Sequence, residues 1–332
     1  MRLDPLTRTW TLFSGEPAER PAFGSVELER AEHPLPDPFL AGRENFAPGA
    51  LHTAAGSSGD WRVRVVSNRA PSLRVEGDAA RHPDGFYDRM DSVGAQEVIV
   101  ETPGPERLEE LALPDVEAVI NAWKIRMLDL MRDTRLRSFS VLRNVGRAAG
   151  GRTHHAVSLL VAMAVIPPAL RCKLETARAF YATKKRAIFE DILAEEVRTG
   201  TRLVYENNGF AVFCPYASRV PFELMILPKR QCADFHGVTD QEVAQLADAL
   251  RTGLRKLNAA LDFPPCNLLL CTAPARTARS DQWGTLERDF RWHIEIVPRL
   301  QHLGGFTLAT GCWVNSVWPE TAAEYLRTVQ VD

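Results

Sequence analysis

The 332-residue sequence lacks several features that would indicate a membrane, secreted or nucleic-acid-binding protein. It contains no uninterrupted run of about 18 apolar residues, so we expect no membrane-spanning helix. Its net charge of −2 gives no electrostatic basis for binding nucleic acid or a membrane surface. The N-terminus lacks the apolar core of a signal peptide, and the six cysteines form no CxxC pair. These absences favour free thiols in a cytoplasmic protein.

The most informative stretch that is present runs from Asn144 to Pro168. It places a glycine-rich turn between an apolar run that ends at Leu142 and a second apolar run from Ala156 to Ile166. Glycines allow backbone N–H groups to approach an anion closely, so the stretch predicts a phosphate-binding turn between two strands. The alternative is a hairpin with a solvated basic loop. The candidate phosphate-binding residues in the turn are Gly146, Arg147, Gly150, Gly151 and Arg152.

The order of predicted elements occurs twice along the chain, with copies about 130 to 150 residues apart. The strand at 61–71 is repeated at 209–216, and the helix that begins at Pro114 is repeated by one that begins near Thr239. We therefore predict an α+β fold made of a duplicated unit, each copy an antiparallel sheet with packed helices. The two halves are predicted at 1–168 and 169–332.

The motif Asn-x-Gly-x-Ala-x-Gly at Asn144–Gly150, with Val-Ile-Pro-Pro downstream, resembles the galactose-1-phosphate uridylyltransferase family of the histidine-triad superfamily. The resemblance covers essentially the whole chain and implies that each half is a histidine-triad-like unit. In the family, a strand carries His-Pro-His-(Ser/Gly)-Gln, and its second His attacks the α-phosphate of a UDP-sugar. Here the strand reads His155-Ala-Val157-Ser158-Leu159. Valine has no lone pair, so the nucleophile of the family is missing.

The resemblance also implies roles for residues outside the turn. Contacts with the nucleotide or its phosphates are implied for Arg20, Asn68, Asn144 and Ser158. Candidate catalytic residues, which would neutralise charge or donate a proton, are Arg152, His154, His155 and Lys173.

Both metal sites of the family are altered in this sequence. Asp37, Leu40 and Gln96 replace three of the four zinc ligands, and His155 alone remains, so structural zinc is not expected. In the second half, Lys173 replaces a Glu, and Cys271 stands where the family has a His. His293 and Glu295 remain on one face of a strand, with Arg291 two residues earlier. This cluster predicts either residual metal binding or a buried histidine that is hydrogen-bonded to a carboxylate.

Three departures from the family pattern add positive charge near the expected phosphates: Arg152, Lys173 and Arg291. Cations there favour a substrate with more phosphate charge, such as a nucleoside triphosphate. We therefore predict a nucleotidyltransferase in which a sugar-1-phosphate attacks an NTP directly and releases pyrophosphate, with Mg²⁺ as cofactor.

Two other readings of the function remain open. The chain is an inactive relative that binds a nucleotide or nucleotide sugar, or it keeps the two-step chemistry of the family. In the last reading His155 is the nucleophile after a two-residue shift of its strand. The predicted ligands are UTP or a UDP-sugar together with a sugar-1-phosphate. A homodimer is implied by the resemblance of 305–315 to a family segment that lines the sugar-phosphate site, sometimes across a dimer.

Overall fold

The computed structural model describes residues 1–13, 37–56, 60–276 and 283–331. The strands are β1 Arg2–Leu3, β2 Trp10–Phe13, β3 Ala50–Ala55, β4 Trp61–Ser67, β5 His82–Asp84, β6 Tyr87–Arg89, β7 Gly94–Val100, β8 Ser138–Val145, β9 Val157–Met163, β10 Leu203–Glu206, β11 Phe210–Phe213, β12 Leu224–Pro228, β13 Cys266–Cys271, β14 His293–Pro298 and β15 Trp313–Asn315. The α-helices are α1 Leu113–Leu130, α2 Pro168–Lys184, α3 Ile188–Thr199, α4 Asp240–Leu261, α5 Leu286–Asp289, α6 Gly305–Thr310 and α7 Pro319–Thr328. Short 3₁₀ helices cover Glu44–Phe46, Leu108–Glu110, Arg147–Ala149 and Phe235–Gly237.

Ten strands form one sheet in the order β10-β11-β12-β14-β13-β8-β9-β7-β4-β3, and every neighbouring pair is antiparallel. Read inward from each edge, β3-β4-β7-β9-β8 matches β10-β11-β12-β14-β13. The two copies join where β8 pairs with β13, and Asn144 lies opposite Asn267 there. The α+β class with a duplicated antiparallel unit is therefore confirmed. The exact boundary at residue 168 stays a prediction.

Two equivalent helices cover one face of the sheet. The helix α4 begins with a capping box in which the Thr239 hydroxyl accepts from the Glu242 N–H, as its sequence indicates. The apolar stripe of α4 packs beside that of α1, and both contribute to the largest core cluster. Fully buried members of this core include Trp123 from α1 and Leu250 from α4. This face is the hydrophobic core of both halves.

The opposite face differs between the halves. Over the second half, α2, α3 and α5 pack on it through a second cluster that includes Leu174, Phe189 and Phe290. Over the first half, the described residues form a small cluster of Val66, Val98 and Val100, with partly buried side chains packed around it. Among the described residues, this face is therefore less covered in the first half than in the second, and we call the first-half part, which lies beside the glycine-rich turn, the half-open face.

None of the described helices combines the length and the apolar composition that crossing a bilayer requires.

Candidate functional site

The glycine-rich turn connects β8 to β9, and its backbone requires glycine at three positions. Gly146 and Gly150 have φ of +79° and +83°, a region that side chains with a Cβ rarely adopt. Between them the chain makes a single 3₁₀ turn at Arg147–Ala149, and the Gly151 N–H then donates to the Gly146 carbonyl at 2.9 Å. A Cβ on Gly151 would lie 2.7 Å from the Asn144 carbonyl oxygen. The turn is thus closed tightly on itself.

Asn267, from the second half of the chain, holds this turn in place through its side-chain amide. Asn267 Nδ2 donates to Asn144 Oδ1 and to the Ala149 carbonyl, each at 2.8 Å. Arg299 Nε in turn donates to Asn267 Oδ1 at 2.7 Å. The turn is therefore fixed by residues from both halves. Sequence reasoning missed Asn267 and Arg299; the one available signal was that Asn267 lies near the start of the strand that repeats β8.

The basic side chains of the turn point outward. Arg147, Arg152 and His154 are all exposed, next to backbone groups of the turn. Three predicted phosphate-binding or catalytic side chains are thus exposed within or just after the turn. Their roles stay predictions.

Alternation along β9 decides which of its residues face this surface. Val157 and Leu159 pack with the small cluster on the half-open face. Ser158 points the other way, into the core beneath α1, where its hydroxyl accepts a hydrogen bond from Trp123 Nε1 at 2.8 Å. The structure therefore contradicts the predicted phosphate contact of Ser158. Successive residues of a strand face opposite sides of the sheet, so the side chains of Ser158 and Val157 point in opposite directions.

His155 is buried just before β9 and uses both ring nitrogens. Nε2 donates to the Thr102 carbonyl at 2.7 Å, and Nδ1 lies 2.8 Å from Asp37 Oδ2. Neither nitrogen is left to attack or protonate a phosphate in this arrangement. His155 and Asp37, defined here as the His155–Asp37 pair, occupy two of the four positions where the family carries zinc ligands.

Two other predicted nucleotide contacts have different outcomes. Asn68 follows β4, and its side-chain oxygen accepts from the Ala70 N–H at 3.1 Å, so it shapes a turn. Nearby, Gln96 Oε1 accepts from the Ser72 N–H at 2.7 Å. Arg20 lies outside the described residues. The absence of structural zinc stays a prediction.

The predicted second-half cluster is assembled, and Lys173 is at its centre. Lys173 Nζ, from α2, lies 3.0 Å from His293 Nε2 and 3.4 Å from Cys271 Sγ, and it contacts the Glu295 carboxylate. The predicted role of Lys173 at a phosphate is therefore wrong. Its neighbours Leu174 and Ala177 are buried on the inner stripe of α2, so the helix turns Lys173 toward the sheet.

Two residues that sequence reasoning missed complete this cluster. Arg219 Nη2 donates to Glu295 Oε2 at 2.7 Å, and Arg219 Nε donates to Glu223 Oε1 at 2.8 Å. Burial alone would raise the pKa of Glu295, but the charges of Lys173 and Arg219 lower it well below 4.5. We call the set Lys173, Arg219, Glu223, Cys271, His293 and Glu295 the Lys173 cluster.

Arg291 is also buried rather than presented to a phosphate. It is 1% exposed, and its guanidinium donates to the Pro228 carbonyl at 3.0 Å and to Gln231 Oε1 at 2.9 Å. It also forms an ion pair with Glu190 of α3. Burial lowers the pKa of Arg291 from its usual value. Its predicted role as a phosphate-binding cation is wrong, because it ties α3 to the sheet.

The glycine turn and the Lys173 cluster lie at opposite ends of the same sheet face. Asn267 of β13 pairs with Asn144 at one end, and Cys271 pairs with Ser140 at the other. Four residues of antiparallel strand separate them, which corresponds to roughly 14 Å. A cavity of about 480 Å³ lies elsewhere, between the N-terminal segment and helices α2 and α3, and no predicted site residue lines it.

Comparison with known proteins identifies the family. Residues 1–167 match the model of the N-terminal domain of galactose-1-phosphate uridyl transferase. The chain belongs to this family. The resemblance predicted from the Asn144–Gly150 motif is thereby confirmed.

Relatives of the galactose-1-phosphate uridyl transferase family align along the full chain. ADP-glucose phosphorylase of Arabidopsis thaliana is 27% identical over 340 residues, covering 100% of this chain and 93% of the relative. Galactose-1-phosphate uridylyltransferase of Thermotoga maritima is 24% identical over 341 residues, covering 100% and 99%. Both relatives are enzymes by name, and they differ in the nucleotide that their names imply.

Solved structures show the same similarity. The chain superimposes with a TM-score of 0.83 on the Arabidopsis thaliana ADP-glucose phosphorylase with bound ADP-glucose, at 25% identity and 99% coverage of both chains. It superimposes with a TM-score of 0.74 on a uridylyltransferase, at 25% identity, covering 98% of this chain and 96% of the other.

Proposed function

We propose that the protein is a nucleotidyltransferase that forms a nucleoside-diphosphate sugar from a sugar-1-phosphate by direct displacement on an NTP. One observation carries the proposal. A preformed glycine turn with outward-facing arginines borders a sheet face on which Val157 takes the position of the family nucleophile. The site can bind phosphates, whereas a covalent nucleotidyl-enzyme has no nucleophile at that position.

The reaction then proceeds in one step. An oxygen of the sugar-1-phosphate forms a bond to the α-phosphorus of the NTP, and the bond from that phosphorus to the oxygen of the leaving pyrophosphate breaks. Backbone N–H groups of the turn, together with Arg147 and Arg152, would stabilise the charge on the equatorial oxygens. His154 is the remaining candidate proton donor, because His155 is held by Asp37 and Thr102.

The nucleotide and the metal ion belong to the proposal as well. The family favours uridine, and the similarity to an ADP-glucose phosphorylase makes adenosine the competing base. Mg²⁺ would arrive bound to the triphosphate. The Asp37 carboxylate, which lies near the start of β9, is paired with His155, and that of Glu101 is paired with Arg143, so we assign no protein ligand to this ion.

The second candidate function is binding without turnover. It is favoured by the side chains at two positions of the family motif, since Val157 and Leu159 are apolar and pack with Val98 and Val100. It is favoured further by the burial of Lys173 and Arg291, which removes two of the three cations that sequence reasoning placed near the phosphates.

The deciding experiment incubates the protein and Mg²⁺ with UTP or ATP and a panel of sugar-1-phosphates, and it follows pyrophosphate release. Parallel reactions contain UDP-glucose or ADP-glucose with either phosphate or a sugar-1-phosphate. Pyrophosphate with a new nucleotide sugar supports direct displacement. Turnover only from a nucleotide sugar shows that a different acceptor or a nucleophile is used, and Val157→His then tests the two-step route.

Binding without turnover in any reaction supports the second candidate. Isothermal titration with each nucleotide separates this outcome from an inactive preparation. Arg152→Met should weaken binding of the triphosphate, while Arg132→Met, at an exposed position after α1, should leave it unchanged.

We also propose a homodimer. The segment 305–315, for which the family resemblance implies a subunit contact, carries exposed apolar side chains, with Phe306 48% and Leu308 71% exposed. Light scattering on the wild type and on Leu308→Asp tests this: a dimer that becomes a monomer supports the proposal, and a monomeric wild type contradicts it.

A further inference from the structure

Three potential metal ligands converge beneath α2. Cys271 Sγ, a ring nitrogen of His293 and a carboxylate oxygen of Glu295 all lie within 4.8 Å of one another. They come from two paired strands, with Cys271 directly opposite His293. Thiolate, imidazole and carboxylate are the donor types that zinc prefers in proteins. In the part of the chain that the structure describes, this is the one such group of three donors.

The space that an ion would need is already filled. Lys173 Nζ lies 3.0 Å from His293 Nε2 and 3.4 Å from Cys271 Sγ, and it contacts the Glu295 carboxylate. A zinc ion bound by the same atoms would stand about 2.0–2.3 Å from each of them. The ammonium group and the ion would therefore overlap and repel each other, so the residues present do not fit a metal.

The charges around Lys173 are balanced without an ion. Arg219 donates to the second oxygen of Glu295 at 2.7 Å and also pairs with Glu223. Two cationic side chains, Lys173 and Arg219, thus face two carboxylates, Glu223 and Glu295. All four lie in the buried interior or at its edge, where an uncompensated charge would be costly.

We propose that the ammonium group of Lys173 takes the place of a divalent cation in this cluster. The wild-type protein then joins α2 to β13 and β14 through an internal ion pair and binds no metal there. A single substitution of Lys173 uncovers a latent three-ligand site for a zinc-class ion, with water as the fourth ligand. This inference does not depend on the proposed function, and no readout below is an activity.

The first test uses the wild-type protein. We expect no stoichiometric metal by elemental mass spectrometry after purification without chelators. A chelator should leave the melting temperature unchanged. Titration with Co²⁺ should give no thiolate-to-cobalt absorption band. A bound ion at about one equivalent that involves Cys271 would overturn the proposal.

The second test uses Lys173→Ala, with Lys184→Ala as the matched control at the exposed C-terminal end of the same helix. Lys173→Ala should bind about one equivalent of Co²⁺ or Zn²⁺, show the thiolate band, and melt at a higher temperature with metal than without. The band should be lost when Cys271→Ala is added. Lys184→Ala should behave as the wild type does.

The folding behaviour of Lys173→Ala is itself informative. If the variant is unfolded alone and folds when Zn²⁺ is added, as followed by circular dichroism, the ion has replaced the ammonium group and the proposal is supported. A folded variant that binds no Co²⁺, or one that stays unfolded with or without Zn²⁺, contradicts the latent site.

Discussion

The glycine turn and the Lys173 cluster lie on the same sheet face, one in each half of a duplicated fold, yet their surroundings differ. Helices α2, α3 and α5 cover the second half and bury the Lys173 cluster. In the described ranges the first half has a small apolar cluster on that face, and the basic side chains of its glycine turn are exposed. Among the described residues, this face therefore carries a buried ion-pair cluster in the second half and exposed basic side chains of the glycine turn in the first half.

The difference shows that burial, rather than residue type, decides what a cation does in this fold. Lys173 and Arg152 were predicted to serve the same phosphates. Lys173 is 4% exposed and bound by protein groups, whereas Arg152 is exposed in the glycine turn. A charge inside the low-dielectric interior interacts strongly with its partners, and an exposed one is screened by water and salt.

Substitution of Glu295 should have the largest effect on stability. Glu295→Ala removes the carboxylate shared by Lys173 and Arg219 and leaves two buried cations short of a partner. We expect the free energy of unfolding to fall by about 3–5 kcal/mol, as measured by urea denaturation. Glu324→Ala, at an exposed position of α7, should change it by less than about 0.5 kcal/mol. If Glu295→Ala and Glu324→Ala lowered the free energy of unfolding by the same small amount, the Lys173 cluster would not be electrostatically coupled.

Acid should remove the contribution of Glu295 selectively. Because the folded pKa of Glu295 is well below 4.5, its charged form contributes stability above pH 4.5, and this contribution is lost as the pH falls through the folded value. The difference in unfolding free energy between wild type and Glu295→Gln should therefore be constant above pH 4.5 and shrink below it. A difference that does not change with acidification would contradict the assignment.

A substitution in the glycine turn should weaken nucleotide binding more than it lowers the stability of the fold. In Gly151→Ala, the new Cβ would meet the Asn144 and Gly146 carbonyl oxygens at 2.7 and 2.8 Å, so the turn must open. We expect nucleotide affinity to fall by at least about tenfold, which corresponds to about 1.4 kcal/mol, as measured by titration calorimetry. Gly49→Ala, whose Cβ would meet nothing within 4 Å, is the control and should bind as the wild type does.

The smallest effect is expected at the His155–Asp37 pair. The Asp37 side chain is 25% exposed, so water can replace part of its interaction with His155. Asp37→Ala should lower the free energy of unfolding by about 0.2–1 kcal/mol. A loss as large as that of Glu295→Ala would mean that the first half relies on this pair as much as the second half relies on its cluster.

The sequence predicted the parts of this architecture that depend on local pattern. The repeat of strand and helix signals gave the duplicated sheet, and the glycine spacing gave the turn between β8 and β9. The same alternation also held the information that Ser158 and Val157 face opposite sides of the sheet, although resemblance to the family motif was given more weight.

The long-range partners could not be predicted in the same way. Lys173 and Glu295 are 122 residues apart, and Arg291 and Glu190 are 101 apart. The residues next to each of these side chains in the sequence do not indicate which distant residue carries the opposite charge. For Lys173, a signal was present in the adjacent Leu174 and in Ala177 at helical spacing, which place the lysine on the inner side of α2.

The pairing of β8 with β13 has a consequence for biosynthesis. A ribosome that has made only the first half presents β8, a strand of eight residues, with one edge unpaired until residues 266–271 emerge. Unpaired strand edges recruit other strands, including those of a second nascent chain. We therefore expect truncated products that end before β13 to associate with one another, and a chaperone that shields strand edges to matter most during that interval.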